Sequence, residues 1–128
     1  MDVSVDAYGN STSGGVGAKV RGLHIISGDV LVITCNPENT WGLSHEGQSL
    51  KTNANGLKDH YTQLGDQNFR TGAMLGSFNG GKTYFSVGVF TTIKVLEGGE
   101  TPELELFCAD SDKENNGGTI TANVFKLT

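Results

Sequence analysis

At 128 residues the chain suits one domain, able to bury roughly two-thirds of its unfolded surface in a single core. A hydrophobic content of 36%, with 19 glycines against two prolines, describes a turn-rich globular protein, and a charged content of 18% is too low for a disordered one. A net charge of −5 without any Lys/Arg cluster argues against nucleic acid as a partner, because phosphates would be repelled.

The start, Met1-Asp2-Val3-Ser4-Val5, lacks a basic n-region and an apolar h-region. No apolar run approaches the ~20 residues that cross a bilayer. The expectation is a soluble protein with no cleavable export signal and no membrane insertion, cytoplasmic or released to the cell surface by a non-classical route. Val3 and Val5 alternate with polar neighbours, as in a half-buried first strand. Residues 9–18 (GNSTSGGVGA) have the composition of a mobile Gly/Ser loop. Residues 19–26 (KVRGLHII) and 30–35 (VLVITC) flank Ser27-Gly28-Asp29, which predicts a hairpin with His24 as a structural residue of its first strand.

Residues 36–71 interrupt this rhythm. The stretch is polar, holds the only Trp and two of the three His, and reads as a binding-face excursion with at most a short helical turn. Strands resume at 73–78 (AMLGSF), turn at Asn79-Gly80-Gly81, and return through 83–87 (TYFSV) and Val89–Val95. Another turn at Glu97-Gly98-Gly99-Glu100 precedes 103–109 (ELELFCA) and 119–125 (TITANVF). Since no 3.6-residue apolar period persists, the predicted architecture is all-β: one domain over 1–128, an antiparallel two-sheet sandwich of jelly-roll or galactose-binding-like form, with loops making a binding face at one end. Cys35 and Cys108 each end an apolar run and read as small buried hydrophobes, a single bridge between them remaining open.

Chemistry concentrates in Asp110-Ser111-Asp112-Lys113-Glu114-Asn115-Asn116-Gly117-Gly118. Counted by twos, Leu104, Leu106 and Cys108 share an apolar face, and Asp110 follows with the same parity. A carboxylate at the mouth of a core needs a partner, because an isolated buried charge is costly. Asp112, Asn115 and Asn116 add oxygen donors, and oxygen-only sets suit Ca²⁺, which takes six to eight at about 2.3–2.6 Å. Without helical flanks or a Glu at the twelfth position, the loop is no EF-hand. The same residues are also ordinary turn formers, with Asp110 bonding turn amides.

Several landmarks recur in one order: Gly28-Asp29-Val30, Trp41-Gly42, Gly72-Ala73-Met74-Leu75, then Glu105-Leu106-Phe107-Cys108-Ala109-Asp110 and Asn115-Asn116-Gly117-Gly118. Through these, over most of its length, the chain resembles the bacterial galactophilic lectins of the LecA type. That resemblance implies a β-sandwich in which one Ca²⁺ bridges protein and sugar. It further implies side-chain ligation by Asp110, Asn115 and Asn116, with backbone carbonyls from Asp112 and Trp41, and two sugar hydroxyls completing the shell. The chain departs from the family in having Trp41 where Tyr is more usual and a loop about two residues shorter between Asp110 and Asn115. A His and a Gln three residues on contact the sugar in that family. His60 and Gln63 match by placement, and His45 with Gln48 competes. Trp41 and Tyr61 offer an aromatic platform.

The resulting expectation is a non-enzymatic, calcium-dependent lectin for galactose-like or fucosylated glycans, made multivalent as a homodimer or homotetramer. The alternative is a structural or protein-interaction sandwich with a degenerate metal site. A glycosidase would need two facing carboxylates; Asp110 and Asp112 lack a pocket to raise either pKa, and no G-x-S-x-G occurs.

Overall fold

The computed structural model describes residues 1–45, 48–96 and 102–127, with His45 through its main chain alone. Among the described residues there are twelve strands and no helix. One sheet runs in the order β1 (Asp2–Asp6), β12 (Thr119–Leu127), β3 (Val30–Cys35), β10 (Phe90–Lys94). The second runs β2 (Ala18–Lys19), β11 (Glu105–Cys108), β8 (Met74–Ser77), β9 (Phe85–Ser86). Two further ribbons, β4 (Trp41–His45) with β5 (Gln48–Thr52) and β6 (Tyr61–Leu64) with β7 (Gln67–Arg70), complete an all-β sandwich.

Alternation builds the interior. Val3, Val5, Leu31, Ile33, Ile120 and Val124 come from the first sheet and meet Met74 and Leu106 of the second, with Leu104 just ahead of β11. Register keeps them level, with Val5 opposite Ile120 and Val124 opposite Ile33. Each such side chain, fully buried, contributes about 1.5–3 kcal/mol. Across β8–β9, Phe85 lies over its partner Gly76, where a Cβ would meet the ring at 2.3 Å, so the glycine lets the ring approach the strand.

Several expectations are met: the first strand at Val3 and Val5, the β8–β9 hairpin around Asn79-Gly80-Gly81, and strands within 89–95, 103–109 and 119–125. The turn expected at 97–100 lies outside the described residues. Others need correction. Residues 19–26 and 30–35 form no hairpin, because β2 pairs with β11 in one sheet while β3 pairs with β10 and β12 in the other. Turn residues at 27–29 therefore carry the chain between layers: the Gly28 amide donates to Val95 at 2.8 Å, tying the corner to the end of β10. His24 stands in this crossover rather than in a strand, exposed, its carbonyl accepting from Lys126 Nζ at 2.7 Å.

The 36–71 excursion contains two hairpins and no helical turn among its described residues. Strand β11 is apolar on both faces, not one. Phe107 is fully buried as well as Leu106 and Cys108, because Tyr84 meets its ring edge-on at 5.2 Å. Leu64 and Phe69 of the second hairpin pack beside it on Ala73, Leu75 and Ala109. The 9–18 loop is pinned: Ser11 and Thr12 are buried, and Ser11 bridges in parallel to Cys108.

Candidate functional site

The end of β11 is held by a segment almost a hundred residues away. Thr12 Oγ1 donates to the Asp110 carbonyl at 2.9 Å and accepts the Asp110 amide at 3.0 Å, while Ser11 Oγ donates to the same carbonyl at 3.3 Å. The Asp110 main chain is thus fully engaged, and its side chain is directed by that clamp. The carboxylate is 6% exposed. Its Oδ1 accepts the Asp112 amide at 3.1 Å, and Asp112 Oδ1 in turn accepts the Glu114 amide at 3.0 Å, so two successive Asx turns shape the loop. Among the described residues nothing donates to Asp110 Oδ2.

Asn116 ends the same loop, 8% exposed. Its Nδ2 donates to the Ala7 carbonyl at 3.1 Å, an acceptor that fixes which way the amide faces and turns Oδ1 away from Ala7. That Oδ1 is likewise buried and without a partner among the described residues. Asn115 takes the left-handed conformation, φ 69°, which Asn tolerates better than most residues, and its side chain is exposed. Two buried oxygens lacking donors at one loop are unusual, because buried polar groups are normally satisfied. A carboxylate oxygen and an amide oxygen are both hard donors, of the kind that Ca²⁺ takes. Among the described residues, no group of three or more His, Cys, Asp and Glu could hold a metal ion, so an ion at this loop would need amide and carbonyl oxygens beside its carboxylates.

The first ribbon closes the loop from the other side. Gly42 exchanges both main-chain bonds with Gly117, at 2.7 and 3.0 Å, and a Cβ on Gly118 would lie 3.3 Å from Trp41 Cα. Gly118 (φ 95°) therefore suits glycine twice over, by conformation and by space. Because Gly42 turns its groups to Gly117, strand alternation turns those of Trp41 towards its partner Thr52, and the Thr40 carbonyl faces the loop, 3.7 Å from that Cβ position. The Trp41 indole is 1% exposed and donates from Nε1 to the Gly72 carbonyl at 2.8 Å. It is a core side chain, not an aromatic platform.

Beside Asp110 lies a cavity of about 100 Å³ whose walls include His60, Tyr61, Thr71, Ser111 and Asp110, over Leu43. His60 and Asp110, fifty residues apart, thus share one surface, and the His60 carbonyl accepts the Thr71 amide at 2.9 Å. Gln63 is not brought to it. That side chain is exposed at the far end of β6, and its amide donates to Gly65 at 3.1 Å. The side chain of the competing His45 lies outside the described residues. Tyr61, 59% exposed, keeps the open aromatic role that Trp41 loses.

Cys35 and Cys108 are both free and buried. Burial pushes the Cys35 thiol up to about 11, and burial followed by the nearby Asp110 and Asp6 charges also raises that of Cys108, so neither is poised as a nucleophile.

No protein-family model matches the sequence, and no curated protein matches it. Among solved structures, the N-terminal domain of EclA, described as a PllA-like lectin, matches with a TM-score of 0.60 over 98% of this chain and 95% of that one. The fold is lectin-like. At 19% identity the likeness extends to the fold alone, and the residues of the site must be judged by their own geometry.

Sequence reasoning missed the Ser11–Thr12 clamp. Nothing local in a Gly/Ser loop marks it as the partner of a strand end nearly a hundred residues on. Nor does any helix among the described residues have the length and apolarity to cross a membrane.

Proposed function

We propose that this chain is a calcium-dependent sugar-binding protein of the galactose-binding kind, with Ca²⁺ bridging protein and two sugar hydroxyls. The observation that carries this reading is the pair of orphaned buried oxygens, Asp110 Oδ2 and Asn116 Oδ1, at one loop of a lectin-like sandwich. The ion would be held by these two, by the Asn115 side chain, by the Asp112 carbonyl and, in place of the Trp41 carbonyl that turns towards Thr52, by the Thr40 carbonyl that faces the loop. A bound cation supplies a hard centre that replaces the hydration of neighbouring hydroxyls and so reads their stereochemistry. His60 and Tyr61 contribute from the adjoining cavity, which is too small for a whole ligand by comparison with sites of about 300–1,000 Å³ and suits one arm of a sugar. With one carboxylate and a shallow surface, single-site affinity is expected to be weak, and useful binding comes from several copies acting together.

The deciding experiment is a thermal melt in calcium against EDTA, paired with calorimetric titration of methyl galactoside. At calcium a hundredfold above its Kd, native-state binding stabilises by about 2.7 kcal/mol, which for a chain of this size raises Tm by about 10 °C. Sugar heat should appear in calcium and vanish in EDTA. An unchanged melt at millimolar calcium would favour a purely structural or protein-interaction sandwich. Substituting His60→Ala should weaken galactoside binding about three- to tenfold while leaving the calcium-induced shift intact, as expected for a side chain that contacts sugar rather than ion. Complete loss of sugar binding in that variant, or none, would remove His60 from the site.

A further inference from the structure

The outward face of the β6–β7 hairpin carries four polar-capable side chains in register. Tyr61 pairs across the ribbon with Arg70, and Gln63 with Asn68, so alternation places all four on one face, and all are exposed. Their neighbours Thr62 and Phe69 point the other way, Thr62 buried and Phe69 packed on the Ala73–Leu75–Ala109 cluster, which makes the platform a firm one. At the edge of this face Tyr61, Asn68 and Arg70 line a cleft of about 400 Å³ together with Asn55 and Ser86, and Phe69, Ala73 and Val87 give it an apolar side. That volume lies within the usual range of small-molecule sites, about 300–1,000 Å³.

Two features single this cleft out. Its lining includes a guanidinium and no carboxylate, on a protein with a net charge of −5, and among the described residues no acidic side chain pairs with Arg70. It also shares Tyr61 with the smaller cavity lined by His60 and Asp110, so the two depressions are neighbours that meet at this residue.

We infer that this cleft is an extension subsite for an anionic saccharide, in which the residue next to the anchored sugar lays its C–H face on Tyr61 and presents a carboxylate to Arg70. This rests on the proposed sugar reading of the Asp110 loop. A planar guanidinium recognises a carboxylate through paired N–H donors, and the Asn55, Asn68 and Ser86 side chains offer the mixed donors and acceptors that ring hydroxyls need. The neutral or basic cleft thereby selects what the acidic remainder of the surface would repel.

The test uses the full chain at fixed free calcium and low ionic strength, titrated with methyl galactoside, lactobionamide and lactobionate. The last two share a galactosyl residue and an open-chain second residue, and differ in whether that residue ends in a neutral amide or a carboxylate. Lactobionate should bind about two- to fivefold more tightly than lactobionamide, the range for a partly exposed ion pair, and the preference should fade as salt is raised. In Arg70→Gln the two ligands should become equal while methyl galactoside is bound as before. Equal affinities in the unaltered protein, or a preference that survives Arg70→Gln, would overturn the extension subsite while leaving the anchoring site standing. If methyl galactoside itself is not bound in calcium, the anchoring reading fails and the subsite with it.

Discussion

Replacing Asp110 by Asn should erase the calcium-induced rise in melting temperature and calcium-dependent retention on a galactose resin, while the melt in EDTA stays the same or moves upward. The two halves of this result have one cause. The Asp110 carboxylate is buried with one oxygen bonded to the Asp112 amide and the other, Oδ2, without a donor among the described residues. An incompletely paired buried carboxylate costs stability, and an amide of the same shape keeps the acceptor that Asp112 needs while shedding the charge. The variant therefore gives up nothing in the ion-free state. In the presence of calcium it loses the buried carboxylate oxygen proposed to hold the ion, and because the other proposed donors are neutral amide and carbonyl oxygens, affinity should fall by a hundredfold or more, roughly 3 kcal/mol. Differential scanning calorimetry with and without EDTA reads both quantities. A variant that keeps the full calcium shift would place the ion elsewhere, and one that melts many degrees lower in EDTA would make Asp110 a structural turn residue.

The oxygen donors of this loop were legible from its residue types, which suit a cation site and an ordinary Asx turn alike. What holds the loop in shape was not. Ser11 and Thr12 read as loop residues because hydroxyls in a Gly/Ser stretch carry no mark of the distant carbonyl that they bond. The strands were legible where turn chemistry and alternation agreed, as at Asn79-Gly80-Gly81, and illegible where they conflicted. Ser27-Gly28-Asp29 has the composition of a hairpin turn, yet the runs on either side enter different sheets, a choice made by partners far along the chain. The ribbons within 36–71 escaped notice because one face of each is polar and open, so their apolar residues are too sparse to display a period of two. The expectation of a Trp41 platform failed for a related reason. An aromatic residue before a glycine looks the same in sequence whether its ring faces solvent or core.

That buried ring supports the second large effect. Trp41→Phe should lower unfolding stability by about 2–4 kcal/mol, combining a lost hydrogen bond, the carbonyl left unpaired and the volume vacated in the core. The indole does more than fill space. Its Nε1 donates to the Gly72 carbonyl at 2.8 Å, and the Gly72 amide donates to the Ala109 carbonyl at 2.6 Å, one residue before Asp110. Gly72 can occupy this junction because it is glycine: φ is 85°, and a Cβ would meet Leu43 at 2.5 Å and Thr52 at 2.7 Å, so no side chain is available to reinforce the contact. The chain Trp41–Gly72–Ala109 thus ties the ribbon that flanks the loop to the strand that presents the carboxylate. Phenylalanine keeps the aromatic body and breaks the first link. The expected consequence is a fall in the urea midpoint, followed by circular dichroism because the only tryptophan is gone, and weaker calcium binding than the stability loss alone predicts. A midpoint within about 0.5 kcal/mol of the unaltered protein would mean that the Gly72 carbonyl finds another donor. An unaltered calcium affinity at reduced stability would show that the loop keeps its shape through the Ser11–Thr12 clamp and the Gly42–Gly117 bridge, without the indole.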